Sequence, residues 1–526
     1  MRQGPWAGRY PAAAAMVICA LVPYLALSAA LQPITPIIAK QLHMSMQTMS
    51  LASGMANAGY AVGTVLAVLL ALHFPQRRLM VLYAAVLVLG SVLAATASDP
   101  AMFIVGHILQ GLCTSLLLIA AVPPLVVGFS IEKMRWTAMI MNICIFGAVA
   151  LGPLVGGAQA QALGWRPLFW IIVGIAVAAL LLSLLTFEDA PPTDRSATRN
   201  PLPVGLAAAG CVAAFYGASE FLTHRFLDPA TFGPWIGGLA LIVVLFVYQY
   251  RGKDPLLCIR PLASTLPVSG IVVAVCAAAA SVSAIGLSAT LLEHRFTPVH
   301  LGLLQFPEFV GALLTAILLG LVFRSRGLHF LVLGGMLSLI AGLLVLGAHL
   351  PPSTTATGVG SGLVGLGVGG SVAPALFIAG FSLRNNALQR VFAIIELVRA
   401  VAAFMVAPVL AHVAATVGGN PDSGTRTALW ICLGFAAGGT LIAVALYALG
   451  RLFPPTPSLE RWSSGDGPAW YSPPLLAALR PGSASPELAE PAAVEAGAVT
   501  GADDDGGATD GRRPEPIPEH SPTPGP

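Results

Sequence analysis

The sequence predicts an all-α membrane protein with fourteen transmembrane helices, and three observations predict it. Of 526 residues, 56% are hydrophobic and only 9% are charged, against about a quarter charged in water-soluble domains. The apolar residues gather in fourteen long runs, each near the roughly 20 residues a helix needs to cross the hydrocarbon core. The connections between runs alternate between basic and base-poor. With the first residues placed in the cytoplasm, the six even-numbered connections hold 13 Lys and Arg: Arg77/Arg78, Lys133/Arg135, Arg195/Arg199, Arg251/Lys253/Arg260, Arg324/Arg326 and Arg384/Arg390. The seven outer connections hold five: Lys40, Arg166, Arg225, Arg295 and Arg426. This is the positive-inside distribution of short loops. It predicts a multi-pass protein of the cell membrane with both termini cytoplasmic, Arg2 and Arg9 preceding the first run and Arg451 following the last.

The runs follow in order. The first, 12–32, is too long for a cleaved leader and lacks a small-residue cleavage site, so it is expected to remain as a helix. The next three are 47–72, 78–96 and 102–128, and the fourth carries His107 and Gln110. The fifth, 137–160, is rich in Gly and Ala, and the sixth is 166–187. Runs at 203–223 and 233–250 stand between these and the last six, at 265–292, 301–323, 328–348, 355–381, 389–416 and 427–450. The twelfth presents Gly358, Gly362, Gly365 and Gly369 along one face, which permits close helix packing. Residues 452–526 are a different material, dominated by Pro, Gly, Ala, Ser and acids such as Asp503–Asp505, then Pro514, Pro516 and Pro518. Such a segment buries too little apolar surface to offset its conformational entropy, so an unstructured cytoplasmic tail is expected.

Several function classes are excluded. The net charge of +3 reflects basic loops and gives no nucleic-acid signal. The seven cysteines stand singly, six of them within runs, without metal-type spacing, and read as small packing residues. No P-loop, HExxH, GxSxG or dinucleotide-type glycine string occurs in a suitable setting, so neither an enzyme nor a cofactor or metal site is expected.

The fifth run carries the most specific pattern. Gly147 precedes Gly152-Pro153-Leu154-Val155-Gly156-Gly157, and Trp165-Arg166-Pro167-Leu168-Phe169-Trp170 follows. Ala148, Gly152, Gly156 and Ala160 recur every four residues and make a smooth face for close backbone packing. Pro153 removes a helix hydrogen bond and weakens the rod. The string resembles the antiporter motif of the major facilitator superfamily. Other segments agree: His107-Ile108-Leu109-Gln110-Gly111 is similar to the family's RxxQG, with His for Arg, and Gln32 and Pro36 fall where drug-antiporter relatives carry Asn and Pro. Leu292–Gly335, Gly365–Leu376 and Ile395–Arg399 resemble later family segments. The fourteen-run count resembles the drug:proton antiporter subfamily, which inserts two helices between six-helix halves. The resemblance implies an N-terminal bundle over 1–187, an inserted pair within 188–262, a C-terminal bundle over 263–451 and the tail 452–526. Three family charges are missing. Leu27 replaces the first-run Asp, His107 the fourth-run Arg, and the loop Ala71–Arg78 keeps a basic pair but lacks the family's Gly and Asp.

Charge at membrane depth costs about 2.5–3.5 kcal/mol on insertion scales, so ionisable residues there are functional candidates. His107 is the sole titratable group well inside the first six runs. With an ordinary pKa of about 6.5 it suits a proton-coupling role, while a neutral His bonded to a carbonyl is the alternative. Glu308, about 10 Å of helix rise into the tenth run, is the leading proton-carrier candidate, and an outer-vestibule position is the alternative. Glu396 and Arg399 share a helix face as a neutralising pair and are further coupling candidates. Glu220 and Glu293 read as solvated rim charges beside His224/Arg225 and His294/Arg295. Gln32, Tyr60, Gln110 and Asn142 are the expected polar lining of a substrate cavity, with Gly147, Gly152, Pro153, Gly156 and Gly157 as the hinge. Without a first-run acid, neutral or weakly charged lipophiles are the expected substrates. The expected function is secondary active, proton-coupled export of lipophilic compounds by a monomer embedded in the bilayer. Uncoupled transport and a transport-inactive membrane scaffold stay open as alternatives.

Overall fold

The computed structural model describes residues 4–187, 200–221, 223–252, 255–348, 350–452 and 456–475. Arg2, Arg195, Arg199, Lys253 and residues 476–526 of the expected tail lie outside them. Among the described residues, fourteen helices are long and apolar enough to span a bilayer. They are α1 (Tyr10–Gln41), α2 (Met46–His73), α3 (Gln76–Thr96), α4 (Pro100–Val127), α5 (Ile131–Gln161), α6 (Arg166–Thr186), α7 (Leu202–Glu220), α8 (Pro229–Arg251), α9 (Thr265–Leu292), α10 (Pro298–Val322), α11 (Gly327–Ala348), α12 (Thr354–Phe381), α13 (Leu388–Thr416) and α14 (Pro421–Leu449). A short α15 (Leu459–Ser464) follows. Consecutive spans run antiparallel, so the even-numbered connections share one end, the basic end.

Packing follows an internal repeat. In the first six spans α1 packs on α4, α5 and α6, α3 on α4 and α6, and α2 on α4. Each pair recurs eight helices later: α9 on α12, α13 and α14, α11 on α12 and α14, and α10 on α12. Two larger contacts join the halves, α5 with α10 and α2 with α13, and the repeat relates one to the other; α4 with α13 and α5 with α12 touch less extensively. The inserted α7 and α8 pack together, and α7 lies on both α2 and α13.

Burial follows position in the bundle. α12 is the most enclosed span, and its glycines explain why: Gly365 lies on the Glu308 backbone and Gly367 on Leu339, leaving no room for a side chain at either. α8 and α14 are mostly outward, with Val243, Val244, Leu441 and Ile442 exposed. Such apolar faces are tolerable in lipid and not in water.

Three features differ from the sequence expectations. α1 runs nine residues past the expected end at 32, to Gln41, with Pro23, Pro33 and Pro36 inside it. Membrane helices tolerate such prolines where neighbours enclose the weakened turn. Glu220 is no solvated rim charge: it is 4% exposed, accepts from Gln47 Nε2 at 2.7 Å and pairs with His224 at 3.2 Å. The expected tail does not start at 452, because residues 456–475 fold back onto the protein with Leu459, Trp462 and Trp470 buried.

Candidate functional site

α5 organises the contact between the halves. Its glycines are divided between two partners. Cβ atoms at Gly152 and Gly156 would strike α1, the first standing 2.7 Å from the Ala26 carbonyl oxygen and the second overlapping the Ala30 backbone. A Cβ at Gly157 would instead strike the Pro298 backbone of α10, and one at Gly302 would stand 2.8 Å from the Pro153 carbonyl oxygen. Two backbones therefore touch across the seam, an approach open only to residues without side chains. Midway along α5, Ile143–Gly147 form a π-helical turn, a local widening common at functional sites. Gly147 there faces the Phe309 ring.

The motif's final residues pin the far end, opposite the basic one. Trp165 is fully buried and donates from Nε1 to Gln41 Oε1 at 2.8 Å, fastening the α5–α6 turn to the end of α1. Arg166 stacks on the Trp165 ring at 4.6 Å and donates to Gln41 and to the Ala97 carbonyl. Trp165 and Phe169 pack on Phe103, which stacks on His107.

The polar candidates separate into distinct clusters. Tyr60 of α2 donates to Glu396 Oε1 of α13 at 2.7 Å, and Arg399 donates to both carboxylate oxygens. All three are buried, and the Tyr60 bond joins the halves. Asn142 of α5 donates to the Gly369 carbonyl of α12 at 3.0 Å, a second polar link between them. His107 and Gln110 turn the other way, into the first bundle. His107 Nδ1 lies 3.1 Å from Gln110 Oε1, and Gln110 Nε2 donates to Ser91 of α3. Gln32 is exposed on α1. Glu308 is 7% exposed, in the turn that follows Pro307, its backbone beneath Gly365. Glu293 is half-exposed beside His294.

A narrow cleft, of about 30 Å³ once open solvent is left out, separates α4 and α5 from α12 and α13 toward the basic end. Val122, Phe146, Leu376, Phe377, Phe381 and Phe392 are among its lining residues, and its accessible wall is entirely apolar. None of the four polar residues expected to line a cavity is part of this wall. Sequence reasoning missed these residues because an aromatic within an apolar run carries no signal of which way it points. At the basic end the α2–α3 connection is reduced to Phe74-Pro75, and Arg77 donates to the Leu184 carbonyl. No acidic lock occupies that loop.

Comparison with known proteins places this arrangement. The family model described as Major Facilitator Superfamily matches residues 16–322. The chain is 27% identical to an uncharacterized MFS-type transporter, YubD, of Bacillus subtilis (strain 168), over 63% of this chain and 64% of that protein's length. It is 23% identical to the drug efflux pump JefA of Mycobacterium tuberculosis over 65% of this chain and 68% of that one. Among solved structures, the proton:xylose symporter XylE superposes with a TM-score of 0.59 at 13% identity, covering 83% of this chain and 95% of that one. The human organic anion transporter MFSD10 gives 0.56 at 14% identity over 83% and 99%. The matched family model runs from α1 to α10 and so spans the glycine seam of α5 and α10. The chain belongs to the Major Facilitator Superfamily.

Proposed function

We propose that the protein exports lipophilic, neutral or weakly charged compounds across the cell membrane by alternating access, driven by inward proton movement. The observation that carries the reading is the wholly apolar cleft between the halves. A wall without hydrogen-bonding groups offers nothing to a sugar or a small ion and favours a greasy solute. The drug efflux pump among the relatives is consistent with it. The basic end, toward which the cleft lies, is the cytoplasmic one in this reading. Glu308 is the proposed proton carrier: a buried carboxyl for which no hydrogen-bond or ion-pair partner occurs among the described residues. Glu396 is less suited, because Arg399 and Tyr60 already occupy both its oxygens.

The test is reconstitution into proteoliposomes with a fluorescent lipophilic cation and an uncharged dye. An imposed pH gradient should drive transport of the uncharged dye, and a protonophore should abolish it. Phe146→Asp or Phe377→Asp should abolish transport, while Glu308→Gln should leave downhill flux and remove the response to the gradient. Flux indifferent to the gradient in the unaltered protein would sink the coupling. Flux indifferent to both Asp substitutions would sink the cleft as the path.

A further inference from the structure

The chain beyond α14 returns to the basic end of the second bundle and is fastened there at four places. Trp462 of α15 is fully buried, stacks edge-on against Phe381 at 4.6 Å and donates from Nε1 to the Leu383 carbonyl at 2.8 Å. Asn385 returns a bond to the Trp462 carbonyl at 3.1 Å. Ala469 N–H donates to the Phe381 carbonyl at 2.8 Å, and Trp470 packs on both Phe381 and His329. Further along, Thr265 donates to the Pro473 carbonyl from its backbone at 3.0 Å and from its hydroxyl at 2.9 Å. Leu266 N–H meets Ser472 Oγ at 2.9 Å. On the surface Glu460 pairs with Arg324 at 3.4 Å.

Two further facts give this segment a mechanical meaning. Phe381 lines the apolar cleft between the halves, so the two tryptophans grip the wall of the cleft from behind. α15 also reaches the other half, coming within 8 Å (Cα to Cα) of the Ile131–Asn142 part of α5. The fastenings named above all belong to α9, α11, α12 and the loops beside α10 and α13, whereas the reach of α15 to α5 crosses to the other half. The anchors and the reach to α5 therefore fall on opposite sides of the cleft.

We propose that residues 456–475 form a strap, carried by the second bundle, whose α15 closes the basic end of the cleft by resting on α5. Opening of that end then requires α15 to leave α5 while the tryptophan anchors hold. The inference rests on the alternating-access reading, and its experiment needs no substrate.

The protein is prepared with its seven native cysteines replaced and a single reporter, Leu388→Cys, in the cleft wall. Maleimide reaction at the reporter reads opening of the cleft, and trypsin cleavage at the exposed Arg461 reads release of the strap. Trp462→Ala with Trp470→Ala should let α15 unwind so that trypsin cuts after Arg461, and should raise the maleimide rate about tenfold, equivalent to about 1.4 kcal/mol of lost closure. Trp462→Phe should restore most of both. A released strap with an unchanged reporter rate overturns the proposal, and so does a double variant whose Arg461 stays protected. Should the double variant fail to fold, Ala469→Pro, which removes the N–H that Phe381 accepts, is judged by the same two readouts. A reporter that responds in a protein moving no lipophile counts against the export reading alone. Export with an indifferent reporter counts against the strap alone.

Discussion

Where α5 meets α10, backbone lies against backbone; where α2 meets α13, side chains reach across with hydrogen bonds. The internal repeat relates these two seams, yet they are built differently. Gly157 and Gly302 make the first possible by having no side chain to exclude. That contact is close to all-or-none, since a methyl group at either position would meet backbone that cannot yield. The second rests on Tyr60, Glu396 and Arg399. Glu396 and Arg399 belong to one helix, so if the halves separated the ion pair would stay whole, while α13 would give up the Tyr60 bond and the Gln389 bond to the Ile119 carbonyl of α4. A buried pair that travels intact avoids the large cost of an uncompensated charge. The first seam is thus a fitted surface and the second a fastening that opens cheaply. The inserted α7 covers the second one, with Ser219 against Gly54 on one side and the Phe221 carbonyl accepting from His412 on the other at 2.7 Å.

The contrast can be broken most forcefully at the fitted surface. Gly157→Leu or Gly302→Leu should reduce proteoliposome transport to background while the protein still inserts and purifies as a single species. Transport above half of the unaltered level would show that the seam need not close. Next in size is the ion pair. Glu396→Leu strands the Arg399 guanidinium and should cost about 3–5 kcal/mol, read as a large fall in the thermal midpoint in detergent. Removing both charges, Glu396→Leu with Arg399→Leu, should recover much of that loss, and a double variant no better than the single would refute the pairing argument. Smaller is Tyr60→Phe, expected to cost about 0.6–1.7 kcal/mol, the range of interhelical hydrogen bonds in membranes, with transport kept or quickened because the opened state loses nothing. Smallest is Asn142→Ala, which gives up one bond to the Gly369 carbonyl at about 0.6 kcal/mol. Should it exceed Tyr60→Phe, the α5–α12 link carries more of the closure than the α2–α13 one.

What could be read beforehand follows from the range of each interaction. The α9 boundaries, 265–292, were legible to the residue, because hydropathy is a property of consecutive residues. The α5 motif was legible because small residues every four positions declare a packing face within one helix. The partner of Glu396 was not, since Tyr60 lies 336 residues away and nothing local marks either as facing the other half. His107 and Gln110 looked like cavity residues by motif position, yet the structure joins them to Ser91 inside the first bundle. Glu220 resembled a rim charge because its neighbours in sequence are polar, while Gln47 reaches it from another helix. The strap was hidden by its Pro, Gly and Ser. Trp462, Trp470 and Tyr471 were the signal available, three large aromatics in a stretch otherwise poor in them.

The wide turn at Ile143–Gly147 holds an extra residue relative to a regular helix of the same rise. Successive α-helical residues turn by about 100°, so straightening these same residues into a regular α-helix would swing everything from Ala148 to Gln161 by about that angle. Gly157 would then point away from Pro298, and Gly152 and Gly156 would no longer meet α1. The surplus residue works as a phase shifter. Before it α5 is indexed on α10 and α12 through Met139 and Asn142, and after it on α1 and the start of α10, two settings that one uninterrupted helix could not satisfy together.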